Sequence, residues 1–335
     1  MTDVPNTDAS DDALSDFPHA SDPDSPLGRV VIAGGSGCLG TSLARHLTGL
    51  GARVSVLSRS SPPAGSPWEF RQWDGHTVGD WADALDGASA LVNLAGRSVD
   101  CVKTPDRVDE ILRSRVESTR ALGVAATGVE TPPRVWVQMS TAHIYGDPPR
   151  EMMHELSATG HGLAPEVGRA WEQAFRDNAP ASVRQVILRT GFVLSRAGGA
   201  LPRFIRLARL GLGGRVGSGT QGMSWIHRRD MDRIFTRAIT DPSMRGTYNA
   251  AAPGPVGQGE FMKEVRKAVG MPRVPIALPT PKWLAALGAR LVFRTDPDLA
   301  LYGRYCVPRR LGNEGFQFEF PRLEEALGDL LSAAT

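Results

Sequence analysis

Cysteine is scarce in this chain of 335 residues, and the cysteines present are not spaced as ligands or disulfide partners. Cys38, Cys101 and Cys306 are odd in number and far apart, and no C-x-x-C or Cys/His cluster accompanies them. Disulfide frameworks and zinc sites require paired or close spacings. We therefore predict free thiols and no metal site.

Long apolar runs are also missing. No stretch approaches the roughly 18 to 20 apolar residues of a membrane span, and no charged-then-apolar segment resembles a secretion signal. Basic runs with interleaved aromatic residues, which nucleic-acid-binding segments often carry, are absent too. We expect a soluble, cytoplasmic protein that binds neither membranes nor nucleic acid.

Lysine and arginine are absent from the first 27 positions, which hold seven aspartates and no Glu. Asp, Ser and Pro dominate this segment, and apolar residues are few, so we predict a disordered acidic tail over 1–27. A dispensable leader is one interpretation, and contact with the basic remainder or with a partner is the other. The remainder is long enough for one large domain or two modest ones.

A glycine-rich stretch follows the first apolar run, which spans 29–33. Glycines let the backbone bend sharply and let a pyrophosphate approach the amides at a helix N-terminus. Leucines at helical spacing and a second apolar strand over 53–57 complete a βαβ unit. A structural glycine turn is the alternative. The pattern predicts a dinucleotide site made by Gly34, Gly35, Ser36, Gly37, Cys38, Leu39 and Gly40.

The end of the second strand bears on the choice of cofactor. NAD enzymes usually place Asp or Glu there for the ribose 2′-hydroxyl, whereas this chain has Ser58, Arg59 and Ser60. A guanidinium can bind a phosphate bidentately. We therefore predict that NADP(H) is preferred over NAD(H); the alternative is that Arg59 is a solvated loop charge.

Further apolar runs predict the rest of a parallel sheet. Strands are predicted over 69–74, 90–96 and 134–139, a long helix over about 106–127, and another strand over 183–193. Open α/β sheets bind ligands at the carboxyl ends of their strands. The cofactor contacts predicted from these ends are Asp74, Leu94, Ala95, Gly96 and Met139.

The second half offers fewer signals. We predict a glycine-heavy loop over 211–222 that closes over a ligand or forms a long turn, an amphipathic helix over 260–269 and an extended connector over 272–281. The apolar segment 283–292 is interpreted as a core helix, with a homodimer surface as the alternative.

Several motifs combine into a family pattern. They are the 34–40 turn, Asn93-Leu94-Ala95-Gly96, the run Ser140 to Gly146, Ser114-Arg115-Val116, Trp171-Glu172, the run Arg189 to Ser195, the run Gly222 to Asp230, Pro308-Arg309-Arg310-Leu311 and Gly315-Phe316-Gln317-Phe318. Together they resemble the extended or atypical short-chain dehydrogenase/reductase family, in particular its "epimerase family" branch, over Gly28 to Leu331.

The resemblance implies an α/β fold: a Rossmann-like doubly wound parallel sheet with a small C-terminal α/β substrate domain. The Rossmann domain would span 28–190, with 225–252 returning to it, and the substrate domain would span 191–224 and 253–335. Arg115 is implied as a cofactor contact. The implied substrate contacts are Arg97, Arg189 and His227.

The chain departs from the family at its proton-transfer pair. Relatives use Tyr-x-x-x-Lys, in which the ammonium and the oxidised nicotinamide lower the tyrosine pKa. Aligned on that pattern, Val167 stands at the Tyr position and Trp171 at the Lys position. The four lysines are Lys103, Lys263, Lys267 and Lys282, and none has Tyr four residues before it. The usual catalysis cannot operate in its usual form.

Other polar residues remain near the predicted reacting centre. Thr141, or Ser140, matches the family hydroxyl that hydrogen-bonds the reacting oxygen, and His143 and Tyr145 follow closely. Histidine is a natural acid or base at neutral pH. The alternative is that Tyr145 is a packed aromatic and that His143 and His227 make structural hydrogen bonds.

Two functions follow from these observations. One is an NADP(H)-dependent oxidoreductase or epimerase that acts on a small polar substrate or a nucleotide sugar, with a non-standard proton donor. The other is an NADP(H)-binding sensor or partner protein without turnover, since some members of the resembling branch carry cell-division-related names.

Overall fold

The structure is a computed structural model that describes residues 27–148, 151–211, 213–271, 281 and 301–332. Three predictions fall outside the described residues, apart from single terminal positions. They concern the acidic tail, the proline-rich connector and the apolar helix over 283–292.

The strands are short. In chain order they are β1 (Arg29–Ala33), β2 (Arg53–Ser58), β3 (Glu69–Gln72), β4 (Ala90–Asn93), β5 (Val135–Thr141), β6 (Met152–Met153), β7 (Arg184–Thr190), β8 (Phe192–Leu194), β9 (Gly222–Met223), β10 (Trp225–His227), β11 (Gly246–Ala250), β12 (Val256–Gly257) and β13 (Tyr305–Cys306). Seven of them form one sheet in the order β11-β7-β5-β4-β1-β2-β3. All its pairings are parallel.

The helices alternate with the strands along the chain. They are α1 (Cys38–Gly49), α2 (Pro105–Gly128), α3 (Leu163–Asn178), α4 (Leu201–Arg209), α5 (Arg228–Thr240), α6 (Gln258–Ala268), α7 (Arg309–Asn313) and α8 (Leu323–Ser332), with 3₁₀ helices at Asp80–Leu85 and Ala142–Tyr145. Within the described ranges, no helix combines the length and apolar composition that crossing a membrane requires.

Alternate residues of β1 pack on opposite faces of the sheet, as the two-residue period of a strand requires. Val30 and Ile32 join the apolar core formed with α1 and α5. Val31 and Ala33 join the core formed with α2 and α3. Because β1 lies between β2 and β4, chain order reverses beside it, and the sheet is doubly wound and Rossmann-like. The predicted fold class is confirmed.

The single strand predicted over 183–193 is wrong, because the structure breaks it at Gly191 into β7 and β8. A Cβ atom at Gly191 would lie 2.6 Å from the carbonyl oxygen of Ser224. The next residue, Phe192, donates its N–H to the same oxygen at 2.7 Å. β7 therefore belongs to the main sheet, whereas β8 pairs with β10 outside it.

A third apolar cluster packs beside the sheet. It includes Leu194 of β8, Trp225 of β10, Phe261 of α6 and Leu327 of α8. Elements from the last third of the chain thus pack on segments that leave the main sheet after Gly191. The boundaries given above for the two domains stay a prediction.

Candidate functional site

A cleft of about 550 Å³ opens at the carboxyl ends of β1, β2 and β4. The sheet order reverses at this edge, which is where open α/β folds bind ligands. The cleft is lined by Gly34, Ser36, Gly37, Leu57, Ser58, Arg59, Trp73, Asp74, Gly75, His76, Leu94, Ala95, Gly96, Arg97, Glu110, Arg113, Ser114 and Glu117.

The glycine turn brings β1, β4 and α1 close together. Gly34 adopts a φ of +78°, and a Cβ there would lie 2.8 Å from Ala95. A Cβ at Gly40 would lie 2.5 Å from the Cα of Gly35. Gly34 and Gly40 are therefore required by the packing of the protein itself.

Gly37 is different, because the protein does not fill the space beside it. A Cβ there would meet only the carbonyl oxygen of Gly34, at 3.6 Å. Gly37 lines the cleft and caps α1, which has no side-chain cap and no acidic residue in its first turn. The free amides of a helix N-terminus and the helix dipole favour an anion. The turn therefore suits a diphosphate.

The far end of the cleft carries an exposed cation. The Arg59 side chain lines the cleft and has no hydrogen bond or ion pair with any residue that the structure describes. The hydroxyl of Ser58 donates to the carbonyl oxygen of Ser60 at 2.6 Å, which fixes the bend that presents Arg59. Ser60 itself does not line the cleft.

Asp74 lines the cleft, but its carboxylate is already engaged. It accepts the N–H groups of His76 and Thr77, at 2.9 and 2.8 Å, and the hydroxyl of Thr77. Burial opposes these hydrogen bonds, yet together they lower the pKa of Asp74 to about 2. The indole N–H groups of Trp73 and Trp81 both donate to the carbonyl of Thr77, so this loop is rigid.

Asn93 shapes the loop after β4. Its side chain is fully buried and donates to Thr119 and Gln138, and its oxygen accepts the N–H of Ala95 at 3.0 Å. This holds the backbone from Leu94 to Gly96 against the glycine turn. The predicted contacts Leu94, Ala95, Gly96 and Arg97 all line the cleft.

Some predicted cofactor residues lie outside the cleft lining: Gly35, Cys38, Leu39, Gly40, Ser60, Arg115 and Met139. The thiol of Cys38 lies 3.8 Å from the hydroxyl of Ser195, and the sulfur of Met139 accepts the hydroxyl of Thr190. The guanidinium of Arg115 donates to the carbonyls of Arg97 and Ile111. Burial lowers the pKa of Arg115 to about 10.

Sequence analysis missed one wall of the cleft. It consists of Glu110, Arg113, Ser114 and Glu117 of α2. Their spacing of three and four residues places them on one face of a helix. The polar character of that face was a signal in the sequence.

The positions of the absent Tyr–Lys pair lie on α3 and are closed to solvent. Val167 is 6% exposed and Trp171 is 4% exposed. The next helical position, Glu172, is also buried and accepts hydrogen bonds from Arg176, Ser140 and Arg189. The arginines and Ser140 hold the pKa of Glu172 below its usual value although its burial acts to raise it.

Three predicted site residues belong to this buried network instead of the cleft. The guanidinium of Arg189 binds Glu172 bidentately, at 2.8 and 2.9 Å, and Ser140 donates to Glu172 at 2.7 Å. Tyr145 donates to Asn249 and accepts from Arg189. Burial raises the pKa of Tyr145 to about 12. This geometry argues against the predicted catalytic roles of Ser140 and Tyr145 and the predicted substrate contact of Arg189.

His227, predicted as a substrate contact, is fully buried. Its Nδ1 accepts the N–H of Arg229 and caps α5, and its Nε2 lies 3.2 Å from Asp329 of α8. Burial lowers the pKa of His227 to about 4, against the effect of the Asp329 carboxylate. The neighbouring Asp230 accepts the N–H groups of Glu319 and Phe320. His227 and Asp230 therefore hold the C-terminal segment against α5. This structural role conflicts with the predicted role of His227 as a substrate contact.

Thr141 and His143 remain half-buried at the carboxyl end of β5. The hydroxyl oxygen of Thr141 accepts the N–H of His143 at 3.1 Å, which leaves its own proton to donate. The His143 ring lies edge-on to Phe192, with 5.9 Å between centroids. Burial and the positive charges of Arg304 and Lys103 hold the pKa of His143 well below its usual value, so the ring is neutral at pH 7.

Comparison with known proteins places this geometry in context. The model of the NAD dependent epimerase/dehydratase family matches residues 30–251, and that of a domain of unknown function (DUF1731) matches residues 280–330. Human epimerase family protein SDR39U1 is 32% identical over 312 residues, which cover 91% of this chain and all of that protein. Epimerase family protein MT2273 of Mycobacterium tuberculosis is 35% identical, covering 89% and 96%.

A solved structure is similar over the same range. The crystal structure of human SDR39U1 (isoform 2) with NADPH superposes with a TM-score of 0.80 at 31% identity, covering 91% of this chain and 99% of that one.

Proposed function

The chain belongs to the NAD dependent epimerase/dehydratase family, and on that premise we propose that it binds NADP(H) and transfers hydride to or from a small polar substrate. The observation that carries the proposal is the cleft with an uncapped helix at one end and, at the other, Arg59, which has no partner among the described residues. The NADPH in the human relative supports the same assignment.

Each end of the cleft has its own part in binding. The free amides at the N-terminus of α1 would bind the diphosphate, in the space that Gly37 leaves open. Arg59 would bind the 2′-phosphate as a bidentate cation. When bound, the coenzyme supplies or takes up a hydride at its nicotinamide ring.

The proton is handled by Thr141 and His143. In the reductive direction the substrate carbonyl carbon gains the hydride and its oxygen gains a proton. We assign the hydrogen bond to that oxygen to Thr141, whose hydroxyl proton has no acceptor among the described residues. The neutral His143 would accept the proton in the oxidative direction, and in the reductive direction it would deliver a proton that it first has to take up.

The second candidate is a protein that binds NADP(H) without turnover. Two observations favour it: the Tyr–Lys positions are occupied by Val167 and Trp171, and Ser140 is held by Glu172. Following hydride exchange from NADPH across a panel of carbonyl compounds and nucleotide sugars separates the two. Turnover that is lost in Thr141→Val and His143→Gln supports the enzyme, whereas NADPH binding without any turnover supports the second candidate.

Coenzyme preference tests the binding proposal directly. Titration by fluorescence should show tighter binding of NADPH than of NADH, and Arg59→Ala should abolish the difference. Arg53→Ala is the matched control, because Arg53 is an exposed arginine at the opposite end of the same strand and does not line the cleft. Equal affinities of the wild-type protein for both coenzymes would refute the role of Arg59.

Two further expectations stand as proposals. The protein would act on a small molecule in the cytoplasm, and it would form a homodimer. Analytical ultracentrifugation tests the latter.

A further inference from the structure

An arginine outside the cleft is buried without an ion-pair partner in the part of the chain that the structure describes. Arg304 is 7% exposed, and its Nε has no hydrogen-bond partner. No side chain in the described part of the chain forms an ion pair with its guanidinium. The nearby carboxylate of Asp147 is used by the N–H of Gly303, at 2.7 Å. Burial lowers the pKa of Arg304 to about 10.

The backbone of Arg304 is fixed where two chain segments cross closely at Gly222 and Gly303. The N–H of Arg304 donates to the carbonyl of Gly222, and its own carbonyl accepts the hydroxyl of Ser224 at 2.8 Å. A Cβ at Gly222 would lie 2.4 Å from the carbonyl carbon of Arg304, and one at Gly303 would lie 2.1 Å from the carbonyl oxygen of Gly222. The guanidinium therefore projects from a rigid support.

This support directs Arg304 toward the 3₁₀ helix that carries His143. Residues two apart in an extended segment share a side, and Cys306 packs against Ala142, Ile144 and Tyr145. Arg304 lies two positions before Cys306, immediately ahead of β13. Its charge acts on both His143 and Cys306. The charged side chains that act on His143 are thus Arg304 and Lys103, both positive.

Burying an unpaired cation reduces stability, so such residues are uncommon unless a charge of opposite sign compensates them. Among the described residues the carboxylate of Asp147 acts to raise the pKa of Arg304, but it makes no ion pair with the guanidinium. A ligand can supply a paired opposite charge, and the action of Arg304 on His143 indicates that this ligand is the substrate. We propose that Arg304 binds an oxyanion of the substrate, a phosphate or a carboxylate, next to His143, so that the protein acts on anionic substrates.

The proposal rests on the proposed function for the identity of the reacting centre, but it adds a substrate class and a role. An oxyanion between Arg304 and His143 offsets the positive charge that keeps the ring neutral. Substrate binding would then let His143 hold the proton that the reduction consumes. An uncharged substrate would leave the ring neutral and the step slow.

The experiment measures anion binding to the protein saturated with NADPH, so that the coenzyme's own phosphate sites are filled. Inorganic phosphate, acetate and UDP are added at equal ionic strength, with sodium chloride as the reference. We expect at least one of them to raise the Tm by about 2 °C or more. A rise in Tm with phosphate or acetate but not with UDP would indicate that the substrate is a small acid. A rise with UDP only would indicate a nucleotide diphosphate.

Variants assign the effect to Arg304. Arg304→Met should remove the anion-dependent rise in Tm. It should not lower the Tm measured without added anion, because it replaces a buried charge that has no ion pair by an apolar side chain of similar length. Arg304→Lys should retain the rise. Arg209→Met is the control, since Arg209 is exposed at the end of α4 and has no partner in the described residues. An anion effect that persists undiminished in Arg304→Met overturns the proposal.

A measurement on the wild-type protein keeps the test independent of folding in the variants. The C2–H resonance of His143, assigned with His143→Gln, reports its pKa by NMR. The stabilising anion should raise that pKa by about one unit. An unchanged pKa, or no stabilising anion, overturns the inference while leaving NADPH binding intact. Failure of NADPH binding would instead refute the proposed function.

Discussion

The guanidinium carbon of Arg115 lies 4.9 Å from the ring centroid of Trp171. Trp171 stands where relatives of this family carry lysine, and Arg115 comes from α2 on the other side of the contact. A cation is therefore present at this place in the fold although the lysine is not. It belongs to another helix and is held by the carbonyls of Arg97 and Ile111.

A double-mutant cycle should detect this contact. Arg115→Met and Trp171→Leu should each reduce the free energy of unfolding, and the coupling between them should be about 0.5 to 2 kcal/mol, because the cation lies over the ring in a largely desolvated place. Urea unfolding of the four proteins measures it. Strictly additive effects would show that the two side chains do not interact.

Two glycines of the same turn should respond differently to alanine. Gly40→Ala should destabilise the protein by about 1 to 3 kcal/mol or more, because its Cβ meets the backbone of Gly35. Gly37→Ala should change stability by less than about 0.5 kcal/mol, because its Cβ has room, yet lower NADPH affinity by about tenfold by filling the space for the diphosphate. Thermal unfolding and fluorescence titration measure the two effects. If Gly37→Ala binds NADPH normally, the diphosphate lies elsewhere.

The ion pair of Glu172 and Arg189 should be a structural requirement. Glu172→Gln should lower the free energy of unfolding by about 3 to 5 kcal/mol, since it leaves Arg189 buried without its carboxylate. Arg189→Met added to Glu172→Gln should restore part of that loss by removing the uncompensated charge. Glu117→Gln is the control, because Glu117 pairs with Arg113 at an exposed position. A loss equal to that of the control would contradict the structural role.

The same carboxylate gives a pH dependence with a defined sign. Its folded pKa is lower than in the unfolded chain. The stability that Glu172 contributes is therefore fully present above the unfolded value and is lost as the pH falls through the folded value.

His227 should make the protein less stable below neutral pH. Its pKa is about 4 in the folded state and 6.5 in the reference state, so the unfolded chain binds more protons between these values. The free energy of unfolding should therefore fall by roughly 3 kcal/mol between pH 6.5 and pH 4 because of His227. His227→Asn keeps a capping acceptor but cannot titrate, so it should flatten this part of the profile.

The control for that profile is His161→Asn, because His161 is exposed and has no hydrogen bond or ion pair within the described ranges. It should leave the slope of Tm against pH as in the wild type. A profile of His227→Asn that matches the wild type would show that His227 is not the titrating group.

The sheet and the cleft could be predicted because their signals are local. The glycine turn, the apolar strands and Arg59 each lie in a segment whose pattern fixes its own geometry, and the structure brings them to one edge of the sheet. The break at Gly191 could not be predicted, because residues that favour strands, Thr190 and Phe192, stand on both sides of it. Its cause is the carbonyl of Ser224, which is distant in sequence.

By itself, the sequence determined the first strands and helices of the main sheet, the glycine turn and the loss of the Tyr–Lys pair, since periodicity and residue identity decide these. Only the tertiary structure decided that Tyr145, Arg189 and His227 are buried in hydrogen-bond networks, and that the charge of Arg304 is buried without an ion pair among the described residues and acts on His143. The physical reason is that the pKa and availability of a polar side chain depend on its burial and its partners. Those partners come from segments that the chain brings together only when it folds.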